Sequence, residues 1–440
     1  MASIKRLAAL LAVCCLEAGA ANIEVGPSDD WRAAIAGLQP GDTLSMRAGT
    51  YPVSNVFSIT ALGTASQPIT IRAVPGARPR IVQSGTQNVL NIVQANFLTI
   101  EGLEFSGGAA FGVRITEGDD ITLRDLVVRD VPGTGIGAVI SGTTVRRLTI
   151  ESVEIRQAGR GIDLGCPNDG CRTVDAVVRR NWIHHLVDAP ALPSIGIRVL
   201  TGSTGALVED NVVHDVGLGL EVYSTLGNGG RHRVRRNAVW GTRDTPVQLV
   251  AHTDFENNLV LGNPAAAAIA ALNIAVVQQA TPTALSIVNN TIISPGAATS
   301  ALRLRNISGA TVIANNALFS EAGDAINLLG STGVSVVNNA GEGRLSGLST
   351  GFSSVGGPGT QLAASNYSGL VPQDVQPVAG SALVGAAAVA SAPAQDFDAI
   401  VRDAAPDIGA LERGGDPLAR WTPTPGFKRP ALVFRSGFED

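Results

Sequence analysis

The sequence predicts an all-β protein folded as a right-handed, single-stranded parallel β-helix, a solenoid of about ten coils with a short capping helix at its start. Three observations carry this prediction. A strand–bend–strand pattern recurs ten times at nearly constant spacing. The composition is even along the chain, rich in Gly, Val, Ile, Ala and Asn, with only 4% aromatic residues. No single copy is long enough to bury a core, so the copies must bury one together.

In chain order, the first element is a leader. Met1 to Ala20 has a basic start (Lys5, Arg6), an apolar run from Leu7 to Leu16 and Ala18-Gly19-Ala20 as a cleavage site, so residues 1–20 read as a signal peptide and the mature chain starts near Ala21. The apolar run is too short to span a bilayer, and no later stretch reaches the roughly 18 apolar residues a span requires. The expectation is a secreted or periplasmic protein without an integral membrane segment, and a monomer. Residues 21–60 are assigned to an amino-terminal cap. There, Ser28-Asp29-Asp30 before Trp31-Arg32-Ala33-Ala34-Ile35 reads as an N-capped helix plugging the first coil.

Residues 61–345 hold the repeats. The copies are LTIEGLEF with its bend at Gly102, ITLRDLVV at Asp125, LTIESVEI at Ser152, VVRRNWIH at Asn181, LVEDNVVH at Asn211 and RVRRNAVW at Asn237. FENNLV at Asn258, SIVNNTII at Asn290, VIANNALF at Asn316 and VSVVNNAG at Asn339 follow, with successive bends 21 to 32 residues apart. Period-2 alternation in each copy means strand, one row inward and one outward. Asparagine tolerates left-handed backbone and can bond a stacked neighbour through its amide, so Asn181 through Asn339 should form a ladder, each at its own bend.

A third strand per coil reads FGVRI, RGIDLG, IGIRVL, LGLEVY, TPVQLV, ALNIA, ALRLR and DAINLL. A polar centre between apolar neighbours predicts an outward row of Arg114, Asp163, Arg198, Glu221, Gln248, Asn273, Arg303 and Asn327, with Gly137 between the first two. Residues 346–440 lose the rhythm and are taken as fading coils and a carboxyl-terminal tail. Cys166 and Cys171, which flank Pro167-Asn168-Asp169-Gly170, are expected to form one disulfide in an oxidising compartment. The net charge of −5 leaves no basic footprint for nucleic acid.

Two stretches, WRAAIAGLQPGDTLSMRAGTY (Trp31 to Tyr51) and GTASQPITIRAVPGARPRI (Gly63 to Ile81), resemble the amino-terminal signature of the pectin-lyase-like superfamily, nearest to the lyases that include chondroitinase B and alginate lyases. The resemblance covers the cap and the repeats, and implies the right-handed β-helix with a polysaccharide groove floored by the third-strand sheet. It does not fix the activity, because superfamily members also include hydrolases, epimerases, tail-spikes and adhesins. Lyases like chondroitinase B use a lysine base, yet the chain has only Lys5 and Lys428, neither on a coil. The Asp-Pro-His motif of alginate epimerases is also missing. APDIGALERG (Ala405 to Gly414) resembles a motif closing many exported bacterial β-helix proteins, and LVFRSGFED resembles a terminal tag of some Gram-negative secreted proteins.

The outward row supplies the candidate site. Elimination beside a uronate needs a cation on the carboxylate, a base for the α-proton and a donor to the leaving oxygen. Arg198 is the candidate base or clamp, Tyr223 the candidate donor, and Asp163 with Glu221 could hold calcium, which would bind the substrate carboxylate. Arg114, Gln248, Asn273 and Arg303 are candidate substrate-binding residues. No other cofactor is required. Asp163 and Glu221, two rungs or roughly 9 to 10 Å apart, also fit the wide carboxylate pair of an inverting hydrolase. The rival class is a non-catalytic adhesin or glycan-binding surface, in which alternating charges merely pair across strands at about 0.2–1 kcal/mol each. Stacked His184 and His214, with His185, read as core or turn histidines, or as a metal site if Asp188 or Asp215 supplied a third ligand. Trp182 and Trp240 could stack on sugars or pack inward.

Overall fold

The computed structural model describes residues 19–428 except 191, 279, 297–298 and 415–419. The expected leader (1–20) lies almost wholly outside the described residues, as does the terminal tag. Within them no helix is long and apolar enough to cross a membrane.

The chain is a parallel β-solenoid of about eleven turns. First strands of successive coils stack in one path of thirteen, from Asn22–Val25 to Val334–Val337, and second and third strands share another ladder. The rungs Thr43–Met46 and Ile69–Ala73 already stack in parallel before the first recognisable repeat. Inward side chains from all coils form one core, from Leu44 and Met46 through Phe105, Ile150 and Phe255 to Ile326. At the start, the helix Trp31–Ala36 is capped by Asp30, whose side chain accepts from the Ala33 amide at 3.1 Å. Trp31 seals the first coil edge-on against Tyr51 and Phe57, with ring centroids 5.5 and 5.0 Å away.

The asparagine ladder exists, one residue away from the bend. Asn181, Asn211, Asn237, Asn258, Asn290, Asn316 and Asn339 are fully buried. In each step the backbone amide and side-chain amide of one asparagine both donate to the side-chain oxygen of the next, at 2.8 to 3.1 Å. The left-handed residue is the one before: Arg180, Asp210, Arg236, Asn257, Asn289, Asn315 and Asn338. Gly102, Asp125 and Ser152 are themselves left-handed, so the early copies were aligned on the bend and the later ones on the ladder. Strand register confirms the offset, with Glu151 opposite Arg179 and Glu154 opposite Trp182.

A second column serves the corner between second and third strands. A Cβ added at Gly112, Gly135, Gly161, Gly196 or Gly219 would come within 2.2 to 2.9 Å of a carbonyl in the next coil and against an inward side chain such as Val128 or Val213. Only glycine lets consecutive coils approach that closely.

Phe352–Ser354 pair in parallel with Asn339–Ser346 as one more short rung, as fading coils would, but the described residues after it are not the flexible tail the lost rhythm suggested. They turn back along the outside of the second-strand sheet as a strap. Leu362, Val375, Leu383, Phe397, Leu411 and Trp421 pack on Val212, Trp240, Leu259, Ile293 and Phe319 in a second apolar cluster. The bend asparagines fasten it: Asn338 donates to the Ala386 carbonyl (3.3 Å), Asn315 to Ala388 (3.0 Å), Asn289 to Asp407 (2.9 Å) and Asn257 to Gln395 (2.7 Å). Each Asn-Asn doublet thus divides its work, the first residue holding the strap and the second the interior. APDIGALERG belongs to this fastening. Gly409 donates to the Asn315 carbonyl (2.8 Å), and Arg402, buried with Glu412 (2.8 Å), reaches Asn257 (2.9 Å). Lys428 ends the strap buried on Asp210 (2.9 Å), away from the third-strand row.

Candidate functional site

Register places the expected outward residues in one unbroken line. Arg114 stands opposite Gly137, Gly137 opposite Asp163, Asp163 opposite Arg198, and Arg198 opposite Glu221. Glu221 then faces Gln248, Gln248 faces Asn273, Asn273 faces Arg303, and Arg303 faces Asn327. Ser58 and Asn91 extend the row at one end and Ser346 at the other. These lay outside the repeat rhythm and carried no charge to draw attention.

The row divides into three segments by bonding. Arg198 clasps Asp163 with both arms of its fork, Nε to Oδ1 at 3.0 Å and Nη2 to Oδ2 at 2.9 Å. At the other end Arg303 donates to Asn273 (2.9 Å), which donates to Gln248 (2.6 Å). Between them Glu221 is buried, and its Oε2 has no hydrogen-bond partner. Burial pushes the Glu221 carboxyl above its ordinary value, against the opposing pull of Arg198 and Tyr223. Burial alone would make Arg198 easier to deprotonate, but Asp163 and then Glu221 outweigh it and its proton is held more tightly. Arg198 therefore stays a cation, which fits a clamp and not a base.

Tyr223 does not face open solvent. It is 7% exposed and packs with Leu200, Val250 and Ala280, while its hydroxyl lies beside Glu221. Burial, then the neighbouring Glu221 charge, raises its pKa, so the hydroxyl keeps its proton. The loop covering this side is anchored by Gln278, whose side-chain oxygen accepts from Thr201 Oγ1 at 2.6 Å and from the Asn168 amide at 3.2 Å. Asn168 sits in the disulfide loop, where Cys166 and Cys171 are bonded. On the opposite side Arg243 grips Asp188 at 2.6 Å.

A calcium ion shared by Asp163 and Glu221 does not fit this arrangement. The Arg198 guanidinium lies between the two carboxylates in the row and takes both Asp163 oxygens.

The histidines form a separate cluster on the second-strand face. His184 stacks on Trp182 and His214, and His214 on Trp240, so both are largely packed, as a core reading requires. Trp240 faces out of the solenoid and is covered by the strap, at 4% exposure, and Trp182 meets Phe427. His185, His214 and Asp215 bring their ligand atoms within 4.8 Å of one another. Indole N–H can only donate, and Trp182 Nε1 donates to His214 Nε2 at 2.9 Å. His214 Nδ1 must then carry the proton, which it donates to Asp215 at 2.7 Å. Neither nitrogen has a lone pair left for a metal, and Asp188 is engaged by Arg243.

Comparison with known proteins places this framework. Residues 17–156 match the Pel9A-like, right-handed β-helix region. The solved pectate lyase Pel9A aligns over 89% of this chain and 96% of its own at 13% identity, with a TM-score of 0.51. An alginate lyase from Paenibacillus sp. str. FPU-7 aligns over 74% of this chain and 99% of its own at 17% identity (TM-score 0.40). The Azotobacter vinelandii mannuronan C-5 epimerase AlgE4 A-module aligns over 74% and 88% at 15% identity (TM-score 0.46). No curated protein sequence matches. At these identities the likeness is one of fold.

Proposed function

We propose that this exported protein binds an acidic polysaccharide along the third-strand row and cleaves it by β-elimination. The observation that carries the reading is Glu221, a buried carboxylate with one oxygen unpaired, set between a fixed cation and a tyrosine hydroxyl. The Pel9A match lends support, since that protein is a pectate lyase.

In this scheme Glu221 takes the proton next to the uronate carboxylate. Arg198, held by Asp163, stabilises the negative charge that develops as the proton leaves. The double bond forms as the glycosidic C–O bond breaks, and Tyr223 protonates the departing oxygen. Glu221 then returns its proton to the adjacent Tyr223 and the site is reset. A base works best with a pKa near the working pH, and burial moves Glu221 in that direction.

The test is absorbance near 232 nm from unsaturated products when the protein is incubated with polygalacturonate, alginate or chondroitin sulfate, with and without a calcium chelator. A signal that survives the chelator and disappears in Arg198→Ala and Glu221→Gln is the expected result. New reducing ends without that absorbance would replace elimination with inverting hydrolysis by Glu221 and Asp163. Binding without either product would leave a glycan-binding surface or adhesin.

A further inference from the structure

The row accounts for one guanidinium at the site, but a second converges on it from outside the row. Arg160 lies at the corner between second and third strands, flanked by Gly159 and Gly161. Register places it opposite Thr134 in one neighbouring coil and Ile195 in the other, and Thr134 and Ile195 in turn face Phe111 and Leu218. Along these five coils Arg160 is the one charge in its column. Its flanking glycines pack against the adjoining coils, where a Cβ at Gly159 would lie 2.4 Å from the Pro132 carbonyl and one at Gly161 2.2 Å from the Gly196 carbonyl. The corner is thereby fixed.

Its bonding separates Arg160 from Arg198, the other guanidinium beside Asp163. Among the described residues its only ion pair is with Asp163, with Nη1 3.8 Å from Oδ2, too long for a hydrogen bond. Each Asp163 oxygen already accepts one bond from Arg198, and Arg160 adds no third. Among the described residues Arg160 donates no side-chain hydrogen bond, and it is 34% exposed, against 14% for Arg198. Two guanidinium groups therefore converge on one carboxylate, and only Arg198 is hydrogen-bonded to it. The second keeps its planar fork of donors open to solvent, next to Glu221, whose burial favours its uncharged form. A fork of that kind matches a carboxylate in two parallel bonds, which an ammonium or a hydroxyl cannot do.

We infer that Arg160 is the carboxylate-recognition residue of the site: it grips a uronate carboxylate of the bound chain and makes the protein select free uronates over esterified or neutral sugars. This rests on the acidic-polysaccharide reading above and adds to it, beside Glu221, a donor group not already consumed by the protein. Arg198 polarises the reacting sugar and Arg160 selects it.

Binding, measured by calorimetry or affinity electrophoresis, tests this without relying on turnover. The probes are polygalacturonate and alginate, each compared with its esterified form, in the Glu221→Gln background so that the polymer is not consumed. The parent is expected to prefer the free acid at least tenfold. Arg160→Ala should lose that preference, with free-acid affinity falling at least tenfold and the melting temperature unchanged. Arg160→Lys, which keeps the charge without the fork, should retain only part of it. Arg156→Ala, a comparably exposed arginine on the second-strand face, should bind like the parent. Binding by the parent with the preference intact in Arg160→Ala overturns the assignment and leaves the polysaccharide reading standing. A parent that binds none of the acidic polymers removes both.

Discussion

Two rows of alternating charge run along this solenoid, and they behave oppositely. On the first-strand sheet, Arg72, Glu101, Arg124, Glu151, Arg179, Glu209, Arg235 and Glu256 stand opposite one another in unbroken alternation. Acid meets base there: Arg124 on Glu101, Arg179 on Glu151 at 2.5 Å, Arg235 on Glu209 at 2.8 Å. On the third-strand sheet the same alternation, Asp163–Arg198–Glu221, leaves a carboxylate oxygen buried without a partner and a guanidinium, Arg160, in reserve. Alternation of charge is therefore no sign of a site. What sets the third-strand row apart is the unpaired buried oxygen of Glu221 on its outward line, because leaving a buried polar group unpaired costs stability.

The comparison breaks most readily at its two glutamates. Glu221→Gln should lower the 232 nm rate by roughly 10²–10⁴-fold, the usual weight of a positioned base, while leaving the urea midpoint unchanged or higher. Glu209→Gln, which strips partners from Arg235 and Arg236, should leave the rate alone and cost roughly 2 kcal/mol, since it breaks charge-assisted bonds at low exposure. Equal losses of activity in both variants would erase the distinction between the rows.

Glu151 in the first row and Glu221 in the third-strand row should also answer pH with opposite sign. Burial raises Glu151, but its bonds and charge contacts with Arg179 and Arg180 outweigh that and hold it below the usual carboxylate value. Its contribution to stability is present above the ordinary glutamate range and is lost as pH falls through the depressed pKa. Glu221 is raised, so its contribution is present below the ordinary glutamate range and is lost as pH rises through the raised pKa. Urea unfolding across pH should therefore show Glu221→Gln gaining on the wild type as pH increases, and Glu151→Gln closing its deficit as pH decreases. The catalytic rate should climb over the interval in which Glu221 ionises. The smallest effect belongs to the exposed end of the ladder: Arg124→Ala should cost only a few tenths of a kcal/mol, less still in high salt.

Much of this was legible beforehand where a local rule fixes a residue's place. Period-2 alternation put Arg114, Asp163, Arg198, Glu221, Gln248, Asn273, Arg303 and Asn327 on one line without knowledge of any contact, because a strand has only two sides. The asparagine run announced the interior ladder. The bends were misplaced by one residue because Gly102, Asp125 and Ser152 suit the left-handed position as well as asparagine suits the ladder, and pattern alone does not separate the two. Asn257, Asn289, Asn315 and Asn338 stood beside the ladder residues in every doublet, yet their partners lie up to 145 residues away in a strap with no repeat to mark it.

The sequence by itself determined the solenoid, its register, the interior ladder and the membership of the outward row, since each follows from spacing within one coil and its neighbour. Tertiary structure alone decided which members of that row are spent and which are available. Whether Asp163 binds calcium or an arginine, whether Tyr223 is open or covered by the loop anchored at Gln278, and whether His214 keeps a lone pair beside Trp182 depend on side chains brought together from different coils. Hydrogen-bonding capacity is finite and settled by distance, and no spacing along a chain records how it has been used.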